Sequence, residues 1–443
     1  MADDQGWGEV GYNGHPVLRT PNLDALAAEG LTFNRFYAGG PVCSPTRATV
    51  LTGRTHVRCG VESHGYALRR QERTLSQALQ RHGYRTGHFG KWHLNGLRGP
   101  GVPVLASDDH NPGVFGFDQW LSVTNFFDRD PILSRRGQFE EFQGDSSEIV
   151  VDEALKFIAT CVDAEQPSFT VIWFGTPHSP FRAAEADMQA FQHLDEASRN
   201  HYGELVAMDR SIGTLRGGLN ALGIADDTLI WYCSDNGGLP KIKPGTVGSL
   251  RGFKGSLYEG GLRVPAILHW PRGLDAPRAT DYPACTMDIF PTIAELLDLP
   301  ADCMLNPVDG ISLVPLLDRD PTSRQKPIPF HYSGESAIID NAWKLLELGR
   351  GEKQRLELYN LQDDPTESRN LAADRADQVA RLLPVLRSFQ QSLQRSVRGE
   401  DYPEGRVLPG EPQPRFWTEV EAYRPYFDQW RQRPEYASRL KGL

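Results

Sequence analysis

A chain of 443 residues, 39% hydrophobic and 23% charged, has enough apolar material for one large core and a smaller second one. No apolar run approaches the roughly 18 residues of a membrane-spanning helix, and a net charge of -10 argues against a nucleic-acid partner, whose phosphates call for an excess of Lys and Arg. An anionic small substrate stays open, because a local cluster of cations can sit in an acidic protein. The six cysteines, Cys43, Cys59, Cys161, Cys233, Cys285 and Cys303, form no CxxC pair and indicate neither a zinc site nor a disulfide framework.

In chain order, the first strong element is the stretch Gly39 to Arg54, GGPVCSPTRATVLTGR. Ser44 followed by Pro45 predicts a helix start with Ser as N-cap, and Gly53 predicts its stop. Cys43 then lies just before a helix N-terminus with Arg47 one turn on, where an anion at residue 43 is favoured by the backbone amides and by the guanidinium. An Arg six residues after the Cys would suit a cysteine phosphatase, but that position is Thr49. A helix follows from about Leu75 to Gly83, then a short strand and a polar loop through GKWHL, in which Lys91 and His93 are two apart and share one side of an extended segment. SSEIVVDEALKFIATCV predicts an amphipathic helix, and SFTVIWFGTPHSP a buried strand that delivers His178. HYGELVAMDRSIGTLRGGLNALG is a long helix, and DDTLIWYCSDNGG a second buried strand that delivers Asp235 and Asn236. Strands alternating with helices predict an α/β domain around a large mixed, mostly parallel sheet flanked by helices, with ligands at the carboxyl ends of its strands.

The texture changes near LLDRDPTSRQKPIP to a Pro- and charge-rich linker. We place a catalytic domain over residues 1–325 and a smaller α+β domain over 326–443. In the second, SAIIDNAWKLLEL and QRLELYNL read as antiparallel strands and ADRADQVARLLPVLRSFQQSLQ as a covering helix with Pro384 inside it. The Pro- and aromatic-rich tail wraps the surface or packs against a neighbour.

The pattern CxPxRxxxxTG, filled by Cys43, Pro45, Arg47, Thr52 and Gly53, resembles the signature of the type I sulfatases, in which the cysteine is oxidised to formylglycine. GKWHL, TPHSPF, SDNGG and LRGFKGSLYEGGLRVP resemble further motifs of that family in the family's order, and LELYNLQDDPTESRNLA resembles its closing segment. The resemblance implies an alkaline-phosphatase-like fold and a calcium site, with magnesium the other cation acceptable, made by Asp3, Asp4, residue 43, Asp235 and Asn236. Four Asp and Asn oxygen donors suit such a hard cation. It also implies roles: the hydrated aldehyde at 43, held by Arg47, attacks sulfur; Lys91 and Lys254 hold sulfate oxygens; His178 protonates the leaving alcohol; His93 takes the proton from the second hydroxyl. The implied partners are a sulfated small molecule or glycan and a formylglycine-generating enzyme, with no nucleic acid and no membrane span.

Two further classes share these motifs: a formylglycine-dependent phosphonate or phosphate ester hydrolase, and an inactive homologue that binds sulfated glycans. Specificity is expected from the segment Leu105 to Ser147, where Asp108, Asp109, His110 and Arg135 are candidates to meet sugar hydroxyls or acid groups. No signal peptide is legible, although the family is mostly exported or lysosomal. Members carry an apolar strand before the Asp-Asp pair; here Met1 is read as its last residue, with the strand itself upstream, which leaves Asp3 at a frayed terminus.

Overall fold

The computed structural model describes residues 1–443. Its centre is the strand β1, Arg85–Lys91, flanked on both sides by parallel neighbours, β2, Gln119–Val123, and β3, Ser168–Trp173. Beyond β2 the sheet continues antiparallel through Ile132–Arg135 and Gln138–Glu141. A second mixed sheet is ordered Arg278–Thr280, Leu31–Phe33, Ala266–His269 and Ile230–Cys233. Parallel pairings sit at the middle of the layer with antiparallel ones on either side, and one further parallel pair, Leu31–Phe33 with Arg278–Thr280, forms the outer edge of the second sheet.

Residues 1–3 join the two sheets. Phe174 N–H donates to Met1 O (3.0 Å), Ala2 N–H to Cys233 O (2.9 Å) and Asp235 N–H to Ala2 O (3.1 Å). The expected frayed terminus is therefore not found: Asp3 and Asp4 are fully buried, because backbone pairing on both sides holds them at the carboxyl ends of two strands.

Helices cover both faces, as continuous apolar strands require. On one face lies α1, Ser146–Asp163, begun by Asp145, whose side chain accepts Ser147 N–H. Its buried Val150, Ala154, Phe157, Ile158 and Cys161 recur at helical spacing and meet Phe89 of β1 and the 26-residue helix Glu196–Ala221. On the other face, the helix Leu75–Arg81, opened by a capping box between Thr74 and Gln77, packs with Trp92, Trp120 and Trp173.

The C-terminal sheet is a four-stranded antiparallel meander, Ile328–Tyr332, Glu335–Asp340, Trp343–Leu348 and Arg355–Asn360. Its first hairpin turns through Ser333 and Gly334, both left-handed (φ 52 and 81), the two-residue turn that matches strand twist. The helix Ala376–Val397, with Pro384 inside it, lays Leu382, Leu386, Phe389 and Leu393 on one face of this sheet. The other face packs on Tyr37, Leu257 and Met287 of the preceding layer.

The tail packs on its own chain. Arg415–Phe416 pairs parallel with Leu97–Arg98, and Trp417, Tyr423, Phe427, Trp430, Tyr436 and Leu440 bury themselves against Leu97, Val102 and Ile132. Trp417 is fully buried and meets four other rings edge-on. Trp417→Ala should cost about 3 to 5 kcal/mol of local stability. We expect it to expose the tail to limited proteolysis well below the temperature at which the rest unfolds; a tail as resistant as in the native chain would contradict this packing.

Candidate active site

The helix that carries the CxPxR motif runs Cys43–Thr52, and every residue in it is buried. Val42, in extended conformation (φ -147, ψ 162), is its N-cap, with no side-chain cap. The predicted start is thus displaced by two residues: Cys43 is itself in the first turn, and Ser44 Oγ accepts the backbone N–H of Gly65 instead (2.9 Å). The predicted stop is found, with Gly53 left-handed at φ 68.

Around the thiol stand residues from four distant segments. Cys43 Sγ lies 3.4 Å from Asp3 Oδ1 and 4.0 Å from Asp4 Oδ1. Lys91, at the end of β1, places Nζ 2.6 Å from Asp3 Oδ2. Lys254 spans both oxygens of Asp4 at 2.6 and 2.7 Å. Asn236 Nδ2 donates to Asp4 Oδ1 (2.8 Å), and Asp4 N–H to Asp235 Oδ1 (3.1 Å). Arg47 Nη2 pairs with Asp235 Oδ2 at 2.7 Å and lies 3.7 Å from Asp3, Nη1 donates to Lys91 O (2.9 Å), and the guanidinium sits over the Trp173 ring at 5.0 Å.

Burial is the largest influence on each of these acids. It would raise Asp3, but Lys91, His178 and Arg47 outweigh it and hold the carboxyl below its ordinary value. Lys254 and His178 do the same for Asp4. Asp235 goes up, because burial and the neighbouring Asp3 exceed what Arg47 returns. Burial also raises the Cys43 thiol in spite of Lys254 and Lys91. The cations around residue 43 favour an anion there, but for sulfur burial outweighs them, and a thiol held protonated is a poor nucleophile.

His178 follows β3 and Nε2 lies 3.7 Å from Asp4 Oδ2. Its Nδ1 donates to Ser179 O (2.6 Å), so Nε2 carries a proton only in the cationic form. Burial lowers its pKa, with Asp4 opposing. His93 is not on an extended segment: its backbone is left-handed (φ 55), so the argument that it points to the same side as Lys91 does not hold. It is nevertheless buried, both ring nitrogens lack partners, and burial with Lys91 and Arg47 nearby holds it neutral.

The donor set fits a hard dication. Asn236 Oδ1 is buried with no partner, Asp3 and Asp4 converge with residue 43, and all the oxygen donors are Asp or Asn, as calcium or magnesium prefers. Three carboxylates are balanced by Arg47, Lys91 and Lys254, which leaves the shell able to take a dication together with an anionic substrate.

Two residues of this site had no signal in the sequence. Trp173 reads as an ordinary strand residue but forms the floor under Arg47, and Phe126 stacks on His178 with centroids 4.6 Å apart. The candidate specificity residues, in turn, are occupied by structure. Asp108 accepts from Asn95 Nδ2 and from His110 N–H, His110 joins Asp109 to Glu411 of the tail, and Arg135 pairs with Glu140 and Glu153.

A sequence model of the sulfatase family matches residues 1–299, and one for the C-terminal region of N-sulphoglucosamine sulphohydrolase matches residues 253–395. The chain is 32% identical over 373 residues to the N-acetylgalactosamine-6-sulfatase of Sus scrofa, a match covering 76% of this chain and 68% of that one. To arylsulfatase A of Homo sapiens it is 29% identical over 452 residues, covering 88% and 86%. Among solved structures, Ps i-CgsB in complex with k-i-k-neocarrahexaose has the same fold, with a TM-score of 0.77 over all of this chain and 98% of that one at 24% identity. With the Cys43 cluster inside a family match longer than half the chain, the protein belongs to the sulfatases, enzymes that hydrolyse sulfate esters.

Proposed function

We propose that Cys43 is converted to formylglycine by a formylglycine-generating enzyme, that Asp3, Asp4, Asp235 and Asn236 hold a calcium ion beside it, and that the site releases sulfate from a sulfated carbohydrate. The observation that carries this is the setting of Cys43, a thiol too buried to act as itself, placed against two carboxylates in a shell of three cations. When bound, the cation supplies Lewis acidity toward oxygens of the sulfate and of residue 43.

The chain's own side chains do the rest. Arg47 is fixed by Asp235, by the Lys91 carbonyl and by Trp173, so its charge faces residue 43 without rearrangement. Lys91 and Lys254 are held only by carboxylates and are free to take sulfate oxygens. His178 in its cationic form gives the Nε2 proton to the departing alcohol oxygen. His93, neutral and unpaired, accepts the proton that leaves residue 43 as sulfate is expelled.

The first experiment is the mass of the tryptic peptide Phe36 to Arg47 from protein made beside a formylglycine-generating enzyme. An aldehyde in place of the thiol is expected; an unmodified thiol in protein that releases sulfate would defeat the proposal. Chelation should abolish sulfate release, with calcium restoring it, whereas full activity in chelator would remove the metal from the scheme.

General acid help matters in proportion to how poor the leaving group is. His178→Ala should lower kcat by about 10² to 10⁴ on a sugar sulfate and far less on a nitrophenyl sulfate, whose phenolate leaves unaided. Equal losses on both would take proton donation away from His178. The N-acetylgalactosamine-6-sulfatase relatives make N-acetylgalactosamine 6-sulfate the first sugar to try.

A further inference from the structure

Of the stretches singled out in the sequence, LELYNLQDDPTESRNLA takes no part in the chemistry at Cys43. It forms the last strand of the C-terminal sheet and the turn that follows. Asp364 shapes that turn, its carboxylate accepting Ser368 N–H (2.8 Å) and Arg369 N–H (2.9 Å). Glu367, inside the turn, is left-handed (φ 52) and fully buried, and it reaches across to the segment that carries Lys254.

Residues 251–258 belong to no helix or strand, so the place of Lys254 depends on what holds the two ends of this loop. Glu367 holds both. At one end its carbonyl accepts from Arg251 Nη1 (3.0 Å), which also donates to Tyr359 OH (2.8 Å). At the other end its Oε2 accepts Glu259 N–H (2.6 Å). Lys344, on the strand Trp343–Leu348, secures the second contact, with Nζ 3.0 Å from Glu259 Oε1 and 2.9 Å from Glu367 Oε1 and all three side chains fully buried. Tyr37 OH donates to the other Glu259 oxygen (3.1 Å). Desolvation offsets most of the attraction in such a cluster, so it adds little stability over apolar packing. What it fixes is geometry. Between the held ends, Lys254 N–H donates to Gly238 O (3.0 Å) and Gly255 N–H to Pro41 O (2.8 Å), bonds that a shift of either end would strain.

We propose that Glu367 is a positioning residue for Lys254. By gripping Arg251 and Glu259 at once, it keeps the Lys254 ammonium 2.6 to 2.7 Å from the Asp4 carboxylate, so the C-terminal domain sets the geometry of a site it does not enter. The proposal rests on the reading above in which Lys254 takes a sulfate oxygen, and it adds a residue more than a hundred positions further along the chain on which that contact depends.

The test is a double-mutant cycle read as kcat/KM on 4-nitrophenyl sulfate. Glu367→Ala leaves Lys344 paired with Glu259, so no buried charge is stranded. It should lower kcat/KM at least about tenfold in the native background, the size of one charge-assisted contact, and less than about twofold in the Lys254→Ala background, where the contact it supports is already gone. A merely structural residue would cost the same factor in both. Glu367→Gln, whose amide oxygen can still accept Glu259 N–H, should keep part of the activity. Arg251→Ala frees the other end of the loop at a side chain that is 42% exposed; it should repeat the pattern with a smaller loss, and it decides the question if Glu367→Ala does not fold. Equal losses in the two backgrounds, or native activity in both Glu367→Ala and Arg251→Ala, overturns the assignment. A Lys254→Ala variant as fast as the native enzyme would instead count against the sulfate-holding role of Lys254 on which the assignment rests.

Discussion

Cys43→Ser should abolish steady turnover, lowering kcat by on the order of 10³ or more, as removal of a nucleophile does in other covalent hydrolases. Serine keeps one hydroxyl at the position that lies against Asp3 and Asp4. Its Oγ can bond to sulfur, giving up its proton to the adjacent Asp3 carboxylate, while the alcohol oxygen leaves with the proton from His178, and the resulting serine sulfate has no second hydroxyl from which to expel the sulfate. The expected result is therefore one equivalent of alcohol per enzyme and a protein heavier by one sulfuryl group in intact mass analysis. Cys43→Ala should give neither. Sustained release of sulfate by the serine variant would show that the hydrated aldehyde is not needed.

Arg47→Met should be nearly as damaging to activity and far more damaging to the fold. The guanidinium is fully buried, as are its partners Asp3 and Asp235, and removing one member of a buried ionic cluster costs about 3 to 5 kcal/mol because the other charges are left uncompensated. Arg47→Lys keeps the charge but not the geometry: an ammonium cannot reach Asp235 and the Lys91 carbonyl together while lying flat on Trp173. We expect the denaturation midpoint to order native above Lys above Met, with both variants at least about a hundredfold slower. A Met variant as stable as the native protein would mean that the carboxylates do not depend on Arg47.

The motif residues were legible because their chemistry is tied to short spacings. Cys43 to Gly53 lie on one helix with its stop, and the Asp235-Asn236 pair follows one strand end. The helix start near Leu75 and the helix stop at Gly53 were legible for the same reason. What escaped was set by tertiary contact. Ser44 looks like an N-cap, yet burial of the whole helix gives its hydroxyl to Gly65. His93 looks extended, yet the chain turns left-handed immediately after the central strand. That strand is tight enough that a Cβ at Gly90 would meet the Trp173 carbonyl at 2.0 Å. Asp108, His110 and Arg135 carry the composition of a binding loop, but Asn95, the tail and the helix over the sheet claim them first. The stacking of Phe126 on His178 could not be read at all, since the two are brought together only by the fold.

On the proposed conversion of Cys43 to formylglycine, the burial of residue 43 also fixes an order of events in time. It is 1% exposed, and its helix is sealed by contacts from far along the chain, such as Thr49 Oγ1 against Thr286 Oγ1 at 2.7 Å. An enzyme that oxidises the thiol must take hold of that segment while it is still extended, so maturation competes with folding and does not follow it. Molecules that fold first keep an unconverted cysteine for the life of the native state. The yield of active protein is then a kinetic ratio, raised by whatever delays closure of the chain around Cys43 and lowered by whatever hastens it, with no change in the final structure to betray the difference.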